Sequence, residues 1–80
     1  MLYIVSTPIG NLEDITLRAI RMLKESDYIA AEDTRQTRKL TAKHEIKTTT
    51  LSFHSYSSDT KLEKIIDLLK EGKTVSLVSD

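Results

Sequence analysis

The stretch LYIVSTPIGNLEDIT, residues 2–16, decides the fold of this 80-residue chain. A short apolar run ends at Ser6-Thr7-Pro8, and turn-forming and small polar residues follow it. Thr16 then opens a segment with helical periodicity. The order strand, loop, helix puts loop backbone at the carboxyl end of a strand, where open α/β sheets bind ligands.

The same unit repeats along the chain. Apolar or β-branched runs occur at Leu2–Val5, Tyr28–Ala31, Thr49–Phe53 and Thr74–Val78, and segments with helical character separate them. Strands that alternate with helices indicate parallel crossover connections. We therefore expect an α/β fold with a mainly parallel four-stranded sheet and three helices.

Helix boundaries can be assigned from capping residues and apolar spacing. Thr16 is expected to cap the first helix, with an apolar face of Leu17, Ile20, Leu23 and Met22. The second runs from a capping Asp33 towards Lys43, and its polar composition predicts a surface position. The third begins at Ser57 or Ser58, ends at Gly72 and carries an apolar stripe of Leu62, Ile65, Ile66 and Leu69.

Composition narrows the class of protein. Twelve basic and twelve acidic residues give zero net charge, so no global field favours a polyanionic partner. There is no cysteine, no secretory leader pattern and no apolar run near the roughly 20 residues of a membrane span. We expect a cytoplasmic protein without a membrane partner. Because the chain stops at the end of a strand, we expect residues 1–80 to be part of a truncated domain.

Polar residues follow every predicted strand. Parallel pairing would bring them to one edge of the sheet. They are Ser6 to Pro8, Glu32 and Asp33, Ser52, His54 and Ser55, and Ser79 with Asp80. For Asp33, helix capping is an equally good explanation.

Several familiar chemistries are not supported by the motifs. A dinucleotide fingerprint needs three glycines, and only Gly10 lies in the first loop. There is no phosphate-binding Gly-Lys-Ser/Thr motif. Without cysteine, the distant pair His44 and His54 does not predict a metal site. Ser6, His54 and Asp80 lack the nucleophile elbow of a hydrolase.

The second helix is rich in basic residues. Arg35, Arg38, Lys39 and Lys43 spread over one broad face, which could contact nucleic-acid phosphates. The alternative is an ordinary solvated helix surface.

Four segments together resemble one family. Signatures of the tetrapyrrole methylase superfamily are similar to residues 7–16, 31–40, 52–54 and 75–80. Within that superfamily these segments resemble the bacterial ribosomal RNA small-subunit methyltransferases, which modify a cytidine ribose 2′-hydroxyl.

The resemblance implies a homodimer of two-domain subunits, with S-adenosylmethionine in the cleft between the domains and ribosomal RNA or the small ribosomal subunit as partner. The N-terminal domain would have a five-stranded sheet, of which residues 1–80 hold four strands, so this chain alone is expected to be inactive.

By motif position, the resemblance implies that Pro8, Gly10 and Asp80 contact the cofactor. On the same rim, we expect Asn11, Arg35 and Arg38 to contact the substrate, and Asp33 or His54 to accept the proton of the ribose hydroxyl. The alternatives are a small-molecule tetrapyrrole-type methylase of the same superfamily and a non-catalytic α/β nucleotide-binding or assembly module.

Overall fold

The computed structural model describes residues 1–6, 14–52 and 59–79, apart from the side chains of residues 59–62 and 79. Strands and helices alternate in this part of the chain, as the sequence predicts. In order they are β1 (Leu2–Ser6), α1 (Leu17–Glu25), β2 (Tyr28–Ala31), α2 (Thr34–Lys43), β3 (Thr49–Ser52), α3 (Asp59–Lys70) and β4 (Val75–Ser79). The expected Phe53 end of the third strand lies outside the described residues.

The four strands form one sheet in the order β1-β4-β2-β3, and every neighbouring pair is parallel. This confirms the parallel α/β fold predicted from the sequence. The last strand in the chain is inserted between the first two, so that β4 has a strand on each side. Strands β1 and β3 are the edges of this sheet.

Helices cover both faces of the sheet. On one face, Ala19 and Leu23 of α1 and Leu40 of α2 pack with Ile29 and Val78. On the other, Ile65 of α3 packs with Ala30 and Val75. This division follows from right-handed crossovers, because the connection from β3 back to β4 runs opposite to the two before it.

The start of α1 confirms one expectation and corrects another. Thr16 is the N-cap, and its Oγ1 accepts a hydrogen bond from the backbone N–H of Ala19 at 3.1 Å. Leu17 was expected on the apolar face, but it is 86% exposed. The sheet-facing stripe centres on Ala19 and Leu23, and Leu17 lies roughly 160° away from Ala19 around the helix axis.

Helices α2 and α3 end in the same backbone motif. After α3, Gly72 has φ 84°, and Lys73 N–H donates to the Leu68 carbonyl at 3.0 Å. After α2, Glu45 has φ 56°, and Ile46 N–H donates to the Thr41 carbonyl at 2.8 Å. These are Schellman ends, so the role predicted for Gly72 is confirmed.

The apolar stripe of α3 is narrower than its spacing suggests. Ile65 is buried and Leu69 is partly buried, whereas Ile66 is 40% exposed at the margin of the contact. The side chain of Leu62 and the expected caps Ser57 and Ser58 lie outside the described residues. Within the described ranges, no helix combines the length and the apolar content needed to cross a membrane.

Candidate functional site

The carboxyl ends of the four strands are level with one another. Ser6 pairs with Ser79, and Ala31 pairs with both Val78 and Ser52. The parallel pairing therefore brings the strand ends to one rim, as expected from the sequence. The residues that follow them start from a common edge of the sheet.

Strand order divides this rim into two parts. Strands β1 and β4 are neighbours, so the segments that hold Pro8, Gly10, Asn11 and Asp80 start from adjacent strand ends. Those four residues lie outside the described part of the chain, and so does His54, which follows β3.

Strands β2 and β3 form the other part. The helices that follow them pack on opposite faces of the sheet, α2 on the same face as α1 and α3 on the other. Adjacent strands whose connections leave on opposite faces open a crevice at their carboxyl ends, and α/β proteins bind ligands there. The candidate site is this crevice, with Asp33 on the β2 side and Ser52 on the β3 side.

Asp33 is the N-cap of α2. Its Oδ1 accepts hydrogen bonds from the backbone N–H groups of Arg35 at 3.0 Å and Gln36 at 3.3 Å. The structural explanation weighed for Asp33 is therefore confirmed, since these bonds satisfy two of the helix's first N–H groups. Its side chain remains 44% exposed, so the carboxylate still faces the crevice solvent.

Arg35 and Arg38 point into solvent from the first turns of α2. The Arg35 side chain is 88% exposed, and its Nε lies 3.9 Å from Asp33 Oδ1. An ion pair that is this exposed to solvent contributes little to stability. Its guanidinium is available to bind an anion beside the rim.

The buried side of α2, opposite the arginines, contains two threonines. Thr37 and Thr41 flank Leu40 there, and all three are buried. The hydroxyl of Thr37 donates to the Asp33 carbonyl at 3.2 Å, and that of Thr41 donates to the Arg38 carbonyl at 3.1 Å. Because both hydroxyls are hydrogen-bonded, they can be buried against the sheet. Burial of this side of α2 directs the arginines on its other side towards solvent.

A small cavity of about 170 Å³ lies beside the end of β3. Leu51, Ser52, Lys64 and Ile65 line it. Ligand pockets usually enclose roughly 300–1,000 Å³. These residues alone therefore provide only part of a cofactor-sized pocket. No cluster of possible metal ligands occurs among the residues that the structure describes.

The fold also brings together charges that the sequence reasoning did not combine. Helices α1 and α2 share one face of the sheet, so the exposed Arg18, Arg21 and Lys24 of α1 lie in the same layer as the basic residues of α2. No signal in the sequence indicates this arrangement, because it follows from two successive crossovers in one direction and so depends on the strand order.

Known proteins with similar sequences or folds agree with this architecture. The family model of the tetrapyrrole (corrin/porphyrin) methylases matches residues 1–80. The solved structure of a cobalamin biosynthetic enzyme, cobalt precorrin-4 methyltransferase, superposes with a TM-score of 0.76 at 25% identity. That match covers 96% of this chain and 32% of the methyltransferase.

Curated relatives carry the name ribosomal RNA small subunit methyltransferase I. Those of Halalkalibacterium halodurans and Bacillus subtilis are 58% and 56% identical over 99% and 100% of this chain. The one of Thermotoga maritima is 56% identical over 99% of it. The chain spans 27% of the length of the first two relatives and 36% of the third. The match of the family model over the whole chain, together with these relatives and the shared fold, shows that the chain belongs to the tetrapyrrole methylase family.

Proposed function

We propose that this chain forms part of a methyltransferase that moves a methyl group from S-adenosylmethionine to a cytidine ribose 2′-hydroxyl of small-subunit ribosomal RNA. The observation that carries this proposal is the high identity, over the whole chain, to relatives named as ribosomal RNA methyltransferases. The enzyme would act in the cytoplasm on the RNA or the assembled small subunit.

The basic surface of α2 supports an RNA substrate. Arg35 and Arg38 are exposed one turn apart at the helix end nearest the rim. Guanidinium groups pair with phosphate through charge-assisted, bidentate hydrogen bonds. In the proposed complex these two arginines, with Asn11, hold the RNA backbone beside the reacting ribose.

The arrangement of β1 and β4 fits the proposed cofactor. Pro8 and Gly10 follow β1, Asp80 follows β4, and the last residues of these neighbouring strands are paired in register. One ligand lying across the adjacent strand ends could contact all three residues. When bound, S-adenosylmethionine supplies a methyl group on a positively charged sulfur.

Removal of the hydroxyl proton is the remaining task. A ribose hydroxyl is a weak nucleophile, so a base that accepts its proton during attack would speed the transfer. We assign this role to Asp33 or His54, which follow the neighbouring strands β2 and β3. In Asp33, Oδ1 already accepts two backbone N–H bonds, which leaves Oδ2 for the proton.

The proposed assembly is a homodimer. The edge strand β1 exposes apolar side chains, with Ile4 70% and Leu2 46% accessible. Edge strands with exposed apolar residues readily pair with another chain. This supports association of copies, either through β1 or through parts outside the described residues.

A second candidate function is methylation of a small tetrapyrrole. The fold similarity to cobalt precorrin-4 methyltransferase favours it. Identity to that enzyme is 25%, however, against 56–58% for the relatives named after ribosomal RNA. The wholly basic charge of α2 also matches a polyanion better than a single small molecule.

A chimera tests the proposal directly. This chain replaces the matching segment of the Bacillus subtilis relative, and transfer of a labelled methyl group to small ribosomal subunits lacking that modification is measured. We expect transfer that depends on S-adenosylmethionine and maps to a cytidine ribose. A folded chimera that methylates a tetrapyrrole, or that leaves the subunits unmodified, would overturn the proposal.

Arg35→Gln in this chimera tests the substrate contact. Because the side chain is 88% exposed, thermal stability should be unchanged while the KM for subunits rises. The control is Lys70→Gln on α3, which also removes one positive charge but lies on the other face of the sheet. It should leave the KM unchanged.

A further inference from the structure

The positive charge of this chain is concentrated on one side of the sheet. Helices α1 and α2 carry seven basic residues and one acidic residue, Glu25, and all eight side chains are exposed. We name the seven basic side chains the α1/α2 face; they are Arg18, Arg21, Lys24, Arg35, Arg38, Lys39 and Lys43. The whole chain is neutral, so this concentration comes from the fold rather than from composition.

The opposite side of the sheet shows no such excess. Helix α3 has three basic and three acidic residues in its sequence. Its described charged side chains, Glu63, Lys64, Asp67 and Lys70, are exposed and balanced in sign. The helices on the two faces of the sheet therefore differ sharply in charge.

Packing directs the basic residues of both helices away from the sheet. In α1, Ala19 and Leu23 face the core, and Arg21 lies roughly 160° from each of them. In α2, Thr37, Leu40 and Thr41 are buried, which places Arg35 and Lys39 on the outer surface. Both rows of cations therefore face the same solvent region.

Two acidic residues that border these helices have other bonds. Asp27, just after α1, accepts a hydrogen bond from Thr74 N–H at 2.8 Å through Oδ2. Asp33, just before α2, accepts the two capping bonds already described. Neither of these carboxylates forms an ion pair with an α1 cation among the described residues, so α1 keeps its charge for an external partner.

We infer that the α1/α2 face as a whole, and not α2 alone, binds the phosphate backbone of RNA. The proposal rests on the proposed function, because RNA rather than another polyanion is favoured by the relatives' substrate. The RNA-binding surface then includes Arg18, Arg21 and Lys24 of α1 in addition to the basic residues of α2, the helix beside the candidate crevice. The α1 cations bind RNA beyond the reacting nucleotide, through contacts that are independent of base sequence.

Two double variants, each of which removes two positive charges, test this inference. Arg18→Gln with Arg21→Gln removes two cations from the α1/α2 face. Lys70→Gln with Lys73→Gln removes two from elsewhere, and all four side chains are exposed. Binding of a fluorescein-labelled RNA hairpin is measured by anisotropy between about 50 and 200 mM KCl, with circular dichroism melting as the folding control.

The expected result is a difference in salt dependence. Each phosphate contact contributes about 0.7–0.9 to the slope of log K against log salt, so the α1 variant should lose about 1.5 of that slope. Its affinity at low salt should fall about tenfold, while the Lys70/Lys73 variant stays within about twofold of the parent. Equal losses in both variants, or stronger binding to phosphatidylserine vesicles than to RNA, would overturn the inference.

The same α1 variant in the chimera separates this inference from the proposed function. We expect the KM for small subunits to rise while kcat is unchanged, because the α1 cations do not touch the reacting atoms. If Arg35→Gln raises the KM and the α1 variant does not, the inference fails and the proposed function stands. If the unmodified chimera transfers no methyl group to RNA, the proposed function fails, and the hairpin measurement still decides whether the face binds phosphate.

Discussion

The hydroxyl of Ser76 donates a hydrogen bond to the hydroxyl of Ser26. The direction follows from the proton count, because the single Ser26 hydroxyl proton is donated to the Met22 carbonyl at 2.7 Å. Both residues are buried, Ser76 completely. Their bond joins the C-cap of α1 to the central strand β4 across 50 positions of sequence.

This directed pair predicts unequal effects of its two alanine variants. Ser26→Ala leaves the buried Ser76 hydroxyl without its acceptor and should cost about 1–3 kcal/mol of the free energy of unfolding. Ser76→Ala leaves the Ser26 proton bonded to Met22 and should cost about 1 kcal/mol. In urea denaturation, the double variant should be less destabilised than the two single variants added together. Strict additivity would contradict the geometry.

The two Schellman ends predict substitutions of opposite sign. At Gly72, φ is 84° and an added Cβ would meet no atom within 4 Å, so Gly72→Ala should cost about 1 kcal/mol through backbone strain alone. At Glu45, φ is 56° and the side chain is exposed, so Glu45→Gly should stabilise by about 0.5 kcal/mol. Thermal melting of both variants checks this, and shifts of the same sign would refute the shared motif.

Two substitutions at Asp33 distinguish capping from catalysis. Asp33→Ala should lower the free energy of unfolding by about 1 kcal/mol, because two helix N–H groups lose their acceptor. Asp33→Asn keeps the cap and should leave stability nearly unchanged. In the chimera, normal methyl transfer by the asparagine variant would assign the proton-accepting role to His54 instead.

The exposed edge of the sheet predicts self-association of the isolated chain. Ile4 is 70% exposed on β1, so Ile4→Lys should shift sedimentation towards the monomer without loss of stability. Thr49→Lys, on the other edge strand β3, is the matched control and should not change the distribution. Association that persists in the Ile4 variant would move the interface away from β1.

Local signals in the sequence were sufficient to predict the helix ends and the strands. The cap at Thr16, the stop at Gly72 and the four strands depend on residues close together in the chain, and each appears within a residue or so of its expected place where it is described. The strand order does not depend on such signals. Nothing local to β4 indicates that it inserts between β1 and β2, because that choice is made by packing over the whole sheet.

Leu17 shows why side-chain burial was harder to predict. The spacing of Leu17, Ile20 and Leu23 predicts an apolar stripe, and Leu23 is buried with Ile20 packed beside it. Only Leu17 departs from that prediction, because the buried side of the helix extends to the small Ala19 instead. Small residues allow a helix to pack close to a sheet, and hydropathy gives them little weight. Thr37 and Thr41 are polar yet buried, because their hydroxyls donate to carbonyl groups of the same helix segment.

For the candidate site, the sequence predicted that the strand ends share one rim, and the parallel pairing confirms it. It also predicted a basic surface on α2, where Arg35 and Arg38 are exposed. It gave two explanations of Asp33, and the hydrogen bonds to Arg35 and Gln36 confirm the capping one. The basic residues of α1 were not associated with the site, because their alignment with α2 requires the tertiary arrangement of both helices.

The inserted position of β4 has a consequence for synthesis of the chain. Strand β1 is synthesised before β4, yet in this sheet the two are hydrogen-bonded, with Leu2 opposite Val75. A nascent chain therefore carries the apolar strand β1 without this partner until residues 75–79 have left the ribosome. Pairings this distant in sequence form slowly. During that interval the unpaired β1 is open to chaperones and to mispairing with a neighbouring nascent chain.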